Sequence, residues 1–174
     1  MTTDTKQSMA PVGATDARLL ILGSLPGDAS LAAQAYYAHP TNQFWRLLGG
    51  AIGEPLAALD YPARLDRLAA RGIALWDVVA DASRSGSLDG AIRGVRSNKL
   101  ADFVATHPRL AAIGFNGRTA AAIGRRALGQ AQGIALIDLP SSSAAFTRPF
   151  TEKLRAWSVL GGFAGPPISA TMIR

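Results

Sequence analysis

The chain has 174 residues, 48% of them hydrophobic, enough for one domain with its own core; a chain of this size buries roughly 70% of its unfolded surface. It contains no cysteine, which excludes disulfides, Cys-ligated zinc and iron–sulfur clusters, and no apolar run approaches the ~18 residues needed to cross a membrane. Fifteen arginines and three lysines against 12 acidic residues leave a net charge of +6, a balance that fits nucleic acid as partner and that also follows from the Ala, Gly and Arg richness of a GC-rich genome.

Residues 1–16 are polar and unpatterned and read as a disordered tail. They lack the apolar core of a signal peptide, so a cytoplasmic protein is expected. Arg18 to Gly23 is an apolar run and predicts the first strand, stopped by Ser24-Leu25-Pro26-Gly27. Ser30 can cap a short helix over Leu31 to Ala35. A further helix begins at Thr41 or Asn42, with Phe44, Trp45, Leu47, Leu48 and Ile52 on its apolar face. Tyr61 to Arg71 is amphipathic and Gly72 ends it.

Ile73 to Val79 predicts the second strand, followed by a long polar loop from Asp81 to Gly90. Ser97 or Asn98 caps a helix running to about Thr106, and His107-Pro108 breaks it. Leu110 to Phe115 is the third strand, Asn116-Gly117 turns into a helix over Thr119 to Leu128, and Ile134 to Leu139 is the fourth strand. Pro140 and a serine loop follow, then a last helix from Thr151 to about Leu160. Residues 161–174 are Gly/Pro-rich and read as a loose tail, leaving 17–160 as a single domain. Alternating strands and helices imply a parallel sheet covered on both faces.

In open sheets of this kind, ligands bind at the carboxyl ends of the strands. Four loops leave those ends: Ser24 to Asn42, Ser83 to Asp89, Asn116 to Arg118, and Pro140 to Phe146. No phosphate-binding G-x-x-x-x-G-K-[ST] loop, G-x-G-x-x-G turn or G-x-S-x-G nucleophile elbow is present. His39 and His107 stand 68 positions apart without a metal-binding partner set. Small hydroxyls, amides, glycines and aromatics remain, a set suited to phosphate contacts and base recognition.

Within the first loop the chain reads Gly23-Ser24-Leu25-Pro26-Gly27, Ser30-Leu31, Tyr36-Tyr37, then His39-Pro40-Thr41-Asn42-Gln43-Phe44-Trp45. Leu75-Trp76-Asp77-Val78, Gly86-Ser87-Leu88-Asp89, Phe115-Asn116-Gly117, Leu139-Pro140-Ser141-Ser142-Ser143-Ala144-Ala145 and Glu152-Lys153-Leu154-Arg155-Ala156-Trp157 follow in order. Over about 140 residues this resembles the uracil-DNA glycosylase superfamily, in particular its deoxyinosine (hypoxanthine)-DNA glycosylase branch. The resemblance implies a three-layer α/β/α sandwich around a four-stranded parallel sheet. It also implies a glycosylase acting on DNA that carries a deaminated base. No metal or cofactor is called for. The site loops lack the lysine that a bifunctional enzyme needs, so a monofunctional one is expected, and a monomer is expected because nothing requires a dimer. Two departures stand out. Ala144 replaces the usual proline of the serine loop. Leu25 stands where many members carry Asp or Asn, and leucine cannot position water.

Under that resemblance Asn42 is the amide that orients the attacking water or holds the purine; it is also well suited to cap the following helix. Asp28 is the rival water activator. Ser24, Leu25, Gly27, Tyr37, His39 and Asn116 would line the base pocket, with Tyr37 as a stacking platform. Ser141, Ser142 and Ser143 would grip phosphate, and Phe146 would wedge into the stack. Asp77 is expected to order the loop that follows it. No lysine lies in the matched site loops, so a Schiff-base step is not expected. Hypoxanthine is the leading substrate; a uracil-specific enzyme and a non-catalytic nucleic-acid-binding domain are the alternatives.

Overall fold

A computed structural model describes residues 5–83, 87, 89–131 and 133–167. Its strands are β1 (Thr5–Gln7), β2 (Val12–Gly13), β3 (Leu19–Gly23), β4 (Ile73–Asp77), β5 (Val79–Ser83), β6 (Arg93–Ser97), β7 (Ala112–Asn116) and β8 (Ala135–Leu139). Its α-helices are α1 (Asp28–Ala33), α2 (Phe44–Ile52), α3 (Tyr61–Ala70), α4 (Leu100–Thr106), α5 (Arg118–Leu128) and α6 (Phe150–Trp157).

The central sheet has the order β2-β4-β3-β7-β8. Its four longer strands run parallel, as expected from the sequence. β2 adds a short antiparallel edge against β4. Strand periodicity sorts the side chains between the layers. Leu20, Leu22, Ala74, Ile113 and Phe115 face α4 and α5 through Leu100, Phe103, Ala120 and Ala121. Leu19, Ile21, Ile73, Leu75 and Ala112 face α2, α3 and α6 through Phe44, Leu47, Leu48, Leu68 and Trp157. The three layers follow directly from this alternation.

Three expectations need correction. Residues 5–13 belong to the fold: β1 pairs with β5, and the segment between β1 and β2 is held from afar. Tyr36 shares its hydroxyl proton between Met9 O (3.2 Å) and Ala10 O (3.0 Å), and Trp76 Nε1 donates to Met9 O at 3.0 Å. The loop expected from Asp81 begins as strand instead, because β1, β5 and β6 form a second, antiparallel sheet. Asn98 does not cap α4. Its amide donates to Asp77 O (2.7 Å), Val79 O (3.2 Å) and Ser8 Oγ (3.2 Å), which fixes the turn after β4.

The segment after Gly161 is likewise anchored as far as Gly165. Gly165 N donates to Arg71 O, and Arg71 Nε donates back to Gly165 O, both at 2.7 Å. Arg71 also bonds Ile52 O (3.0 Å) and Glu54 Oε1 (2.8 Å), so a buried ion pair joins three segments. The rest of the predicted tail, 168–174, lies outside the described residues.

Candidate active site

Parallel register places the carboxyl ends of β4, β3 and β7 side by side, with Gly23 opposite Asp77 and Leu22 opposite Phe115. Above that edge is a cavity of about 300 Å³. It is lined by all four strand-end loops, including Ser24, Leu25, Gly27, Tyr37, His39, Asn42, Asn116 and Ser141 to Ala145. The base-pocket residues expected from sequence therefore converge on one space. This volume lies at the small end of the ~300–1,000 Å³ range of ligand sites.

Asn42 is held by an unusually determined set of bonds. Its Oδ1 accepts from Phe44 N at 2.9 Å and from Ser142 Oγ at 2.8 Å. A backbone N–H can only donate, so the oxygen is identified without ambiguity. Two donors occupy the two lone pairs of that oxygen, and among the described residues Nδ2 takes no protein partner. Asn42 thus presents its NH₂ group, a donor, on the side facing away from its anchors. Its Asx-type bond to Phe44 N braces the entry to α2, whose N-cap is Gln43 rather than Asn42.

The anchor is Ser142, which is 1% exposed. Asn116 Nδ2 donates to Ser142 Oγ and Ser142 N donates to Asn116 Oδ1, both at 2.9 Å. Gln43 N donates to Ser142 O, also at 2.9 Å. The expected phosphate-contacting Ser142 is thus buried and turned into the protein. Its hydroxyl, N–H and carbonyl are all engaged in bracing Asn42 and Asn116. Ser141 Oγ and Ser143 Oγ accept from the backbone N–H groups of Ser143 and Ala145, each at 3.2 Å, and shape the exposed loop around Ala144.

Tyr37 has a left-handed backbone, φ 55°, which costs an L-residue roughly 1–2 kcal/mol. Its ring stacks on Phe44 with centroids 3.7 Å apart and 8° between planes. One face is thereby fixed while the ring still lines the cavity. Burial, then the Asp77 carboxylate, push the Tyr37 phenol well above its ordinary pKa, against a weaker opposing effect of Asn116. Gly23 makes room for this arrangement. A Cβ there would lie 2.6 Å from Asp77 Oδ1 and 2.8 Å from the Tyr37 hydroxyl. His39 is exposed at the mouth, and its Nδ1 accepts from Thr41 N at 3.2 Å. The neutral ring consequently carries its proton on Nε2, pointing away from that turn.

Two expected residues sit elsewhere. Asp28 does not line the cavity: its carboxylate turns outward into an ion pair with Lys6 of β1. That placement aims its carboxylate away from the cavity. Gly27 has an ordinary φ of −73° as the residue before α1, and a side chain there would meet Ser87 Oγ at 3.2 Å. Phe146 is 40% exposed and lines a second, adjoining cavity together with Gly117, Arg118, Asp138 and Arg148.

The model of the uracil DNA glycosylase superfamily matches residues 10–161. The chain belongs to that superfamily. It is 38% identical to a hypoxanthine DNA glycosylase of Methanosarcina barkeri over 153 residues, 88% of this chain and 96% of the relative. It is 40% identical to a hypoxanthine DNA glycosylase of Methanosarcina acetivorans over 142 residues, 82% of this chain and 89% of the relative. A solution NMR structure from Methanosarcina acetivorans, described as a uracil DNA glycosylase, superposes with a TM-score of 0.80 at 37% identity. It covers 91% of this chain and 97% of its own.

Within this superfamily member, several contributors carry little signal in the sequence. Asp77 is 3% exposed and lines the cavity floor, rather than serving only to order its loop. Asp89 accepts from Ser24 Oγ at 2.6 Å and lines the same space. Lys153 is 1% exposed and donates from α6 to Ser143 O (3.1 Å) and Gln43 Oε1 (3.0 Å). Burial, and then Arg148, lower its pKa. One clue to Lys153 was available: with Phe150, Leu154 and Trp157 it occupies the inward stripe of α6, where a lysine needs polar partners. Trp157 Nε1 donates to Pro140 O at 2.9 Å and pins the start of the same loop.

Proposed function

We propose that this chain is a monofunctional DNA glycosylase that excises hypoxanthine from deoxyinosine, the deamination product of deoxyadenosine. The observation that carries the reading is the fixed presentation of the Asn42 Nδ2 donor in a cavity sized for one base. Its relatives named as hypoxanthine DNA glycosylases support the choice of base.

The nucleotide is flipped out of the duplex at a cost of a few kcal/mol, least for a mispaired base. Tyr37, backed by Phe44, offers a rigid face on which the base stacks. Cleavage of the C1′–N9 bond sends the bonding pair to the purine and leaves positive character on the sugar. Water oxygen then bonds to C1′, its proton is released, and the purine leaves protonated. Asn42 Nδ2 donates to the base as negative charge builds there. A preorganised donor of this kind favours the transition state over the ground state. Asp77 and Asp89 place carboxylates in the pocket, which favours a cationic sugar. Phe146 and the exposed rim beside it contact the surrounding DNA.

The test is alkali-revealed strand cleavage of duplexes carrying one deoxyinosine or one deoxyuridine, with wild type and Asn42→Ala. Cleavage at inosine that falls at least about a hundredfold in the variant is expected. Cleavage at uracil alone would move the substrate to uracil. Binding without cleavage of either duplex would leave a DNA-binding module with the fold and no chemistry.

A further inference from the structure

Lys153 is a buried cation that lines neither the base pocket nor the cavity beside it. Among the described residues no carboxylate pairs with its ammonium. The group donates instead to Ser143 O (3.1 Å) and Gln43 Oε1 (3.0 Å), and stands 5.3 Å from the centre of the Phe146 ring. A buried charge held by neutral groups alone is costly, and an apolar residue would suit the inward stripe of α6 better. The lysine is explained by what it holds.

The Ser143 carbonyl also accepts from Phe146 N at 3.1 Å, so Ser143 to Phe146 form a β-turn with Ala144 at its second position. Proline there would preset φ, whereas alanine leaves it free. Among the described residues Ala144 N donates to no partner, so a proline would remove no bond. Upstream, Trp157 pins Pro140 and Asn116 pins Ser142. Residues 144–149 are exposed, and beyond Ser142 the hydrogen bond that ties the loop to the body of the domain, among the described residues, is that of Lys153. The turn stands between the two spaces: Ser143, Ala144 and Ala145 line the base pocket, and Phe146 lines the neighbouring cavity. Resting on the glycosylase reading above, we propose that Lys153 is a positioning residue for extrusion of the damaged nucleotide. Its ammonium locks the Ser143–Phe146 turn, so that Phe146 stands at the rim as the base leaves the stack. Asn42 is braced separately, by Phe44 N and Ser142 Oγ, so the bond-breaking step does not depend on Lys153.

Single-turnover cleavage is measured on deoxyinosine paired within a duplex and on deoxyinosine in a single-nucleotide bulge, where it has no partner to leave and extrusion is easier. Wild type and Lys153→Met are compared, each with and without Ala144→Pro, with thermal melting of every variant; Lys153→Gln takes the place of Lys153→Met if that variant does not fold. In Lys153→Met, cleavage of the paired substrate should fall about tenfold or more, as for loss of a hydrogen bond from a charged group, while cleavage of the bulge stays nearly as in wild type. Adding Ala144→Pro should return most of the lost rate, because proline restricts the turn that the ammonium no longer holds. A lysine that served the fold alone would lower both substrates together. Equal losses on the two substrates, no loss on either, or a loss that proline leaves untouched overturns the assignment, and so does failure of both lysine variants to fold. If wild type spares inosine but cleaves uracil, the choice of hypoxanthine fails, and paired against bulged deoxyuridine reads the same role. If wild type cleaves neither base, the glycosylase reading itself falls, and this proposal with it.

Discussion

Asn42→Asp separates the two chemical roles open to an amide at this position. The substitution keeps shape and volume and replaces the NH₂ group by oxygen. The carboxylate oxygen in place of Oδ1 still accepts from Phe44 N and Ser142 Oγ, now at 2.9 and 2.8 Å from charge-compatible donors. Folding stability should therefore change by no more than about 1 kcal/mol. The cavity side changes completely, because a donor becomes an acceptor bearing negative charge. Loss of one preorganised donor to a developing anion costs about 2.7–4 kcal/mol, a factor of roughly 10² to 10³ in rate. Repulsion of the departing base adds to that loss. Single-turnover cleavage of a deoxyinosine duplex, with denaturant titration as the folding control, measures both sides. Retention of activity within about threefold, or a gain, would refute the reasoning: it would mean that position 42 works through an oxygen on the attacking water.

Ser142→Ala removes the hydroxyl between Asn116 and Asn42 and leaves Asn116 Nδ2 without that buried acceptor. Denaturant titration should show a loss of about 1–3 kcal/mol, and kcat should fall about tenfold with KM nearly unmoved. Tyr37→Phe should flatten the alkaline edge of the stability profile. Burial, with Asp77, raises the Tyr37 pKa in the fold, so above about pH 10 the unfolded chain releases this proton while the folded chain keeps it. The stability contributed by Tyr37 is complete below that pH and declines at about 1.4 kcal/mol per pH unit above it. Lys153, with its lowered pKa, pushes the other way near its unfolded value of 10.5; the difference between wild type and variant isolates Tyr37. Arg71→Met removes a buried guanidinium and leaves Glu54 paired with Arg67 alone, at 3.0 Å; losing the bonds to Glu54, Ile52 O and Gly165 O should cost about 1–3 kcal/mol by denaturant titration.

The sheet was legible because its signal is local. Each parallel strand is a short apolar run ended by a turn residue, and the alternation of strands and helices allows few topologies. The convergence of the loops at one edge follows from the parallel arrangement alone. Residues 5–13 were illegible because what orders them, Tyr36, Trp76 and β5, lies 26 to 78 residues away. β6 is exposed along its whole length and has no alternation to read. At the site, residue types pointed to the chemistry, and tertiary contacts separate residues that look alike in the sequence. Three adjacent serines look equivalent in sequence, yet Ser142 is a buried brace while its neighbours shape an exposed loop. Asp28 lies next to the pocket turn in sequence and faces Lys6 in space.

Charge placement in the fold leads to a last prediction. The cavity is lined by carboxylates and neutral groups, with no lysine or arginine among its described residues. Exposed Arg118 and Arg148 instead line the neighbouring cavity, Arg118 at the start of α5 and Arg148 within 5.3 Å of the Phe146 ring. A phosphate is therefore drawn to the rim and repelled from the pocket, while a neutral base is admitted. The two arginines should act on affinity alone. Each Arg→Ala change should weaken binding to inosine-containing and normal duplexes to a similar extent. Each should also reduce the slope of log affinity against log salt by about 0.9, the counterion release of one phosphate contact on duplex DNA. The inosine preference of bound complexes should stay as it is in wild type. Salt titrations by fluorescence anisotropy, paired with single-turnover cleavage, read the two quantities separately. An unchanged slope in both variants would place the phosphate-contacting surface on another face of the domain.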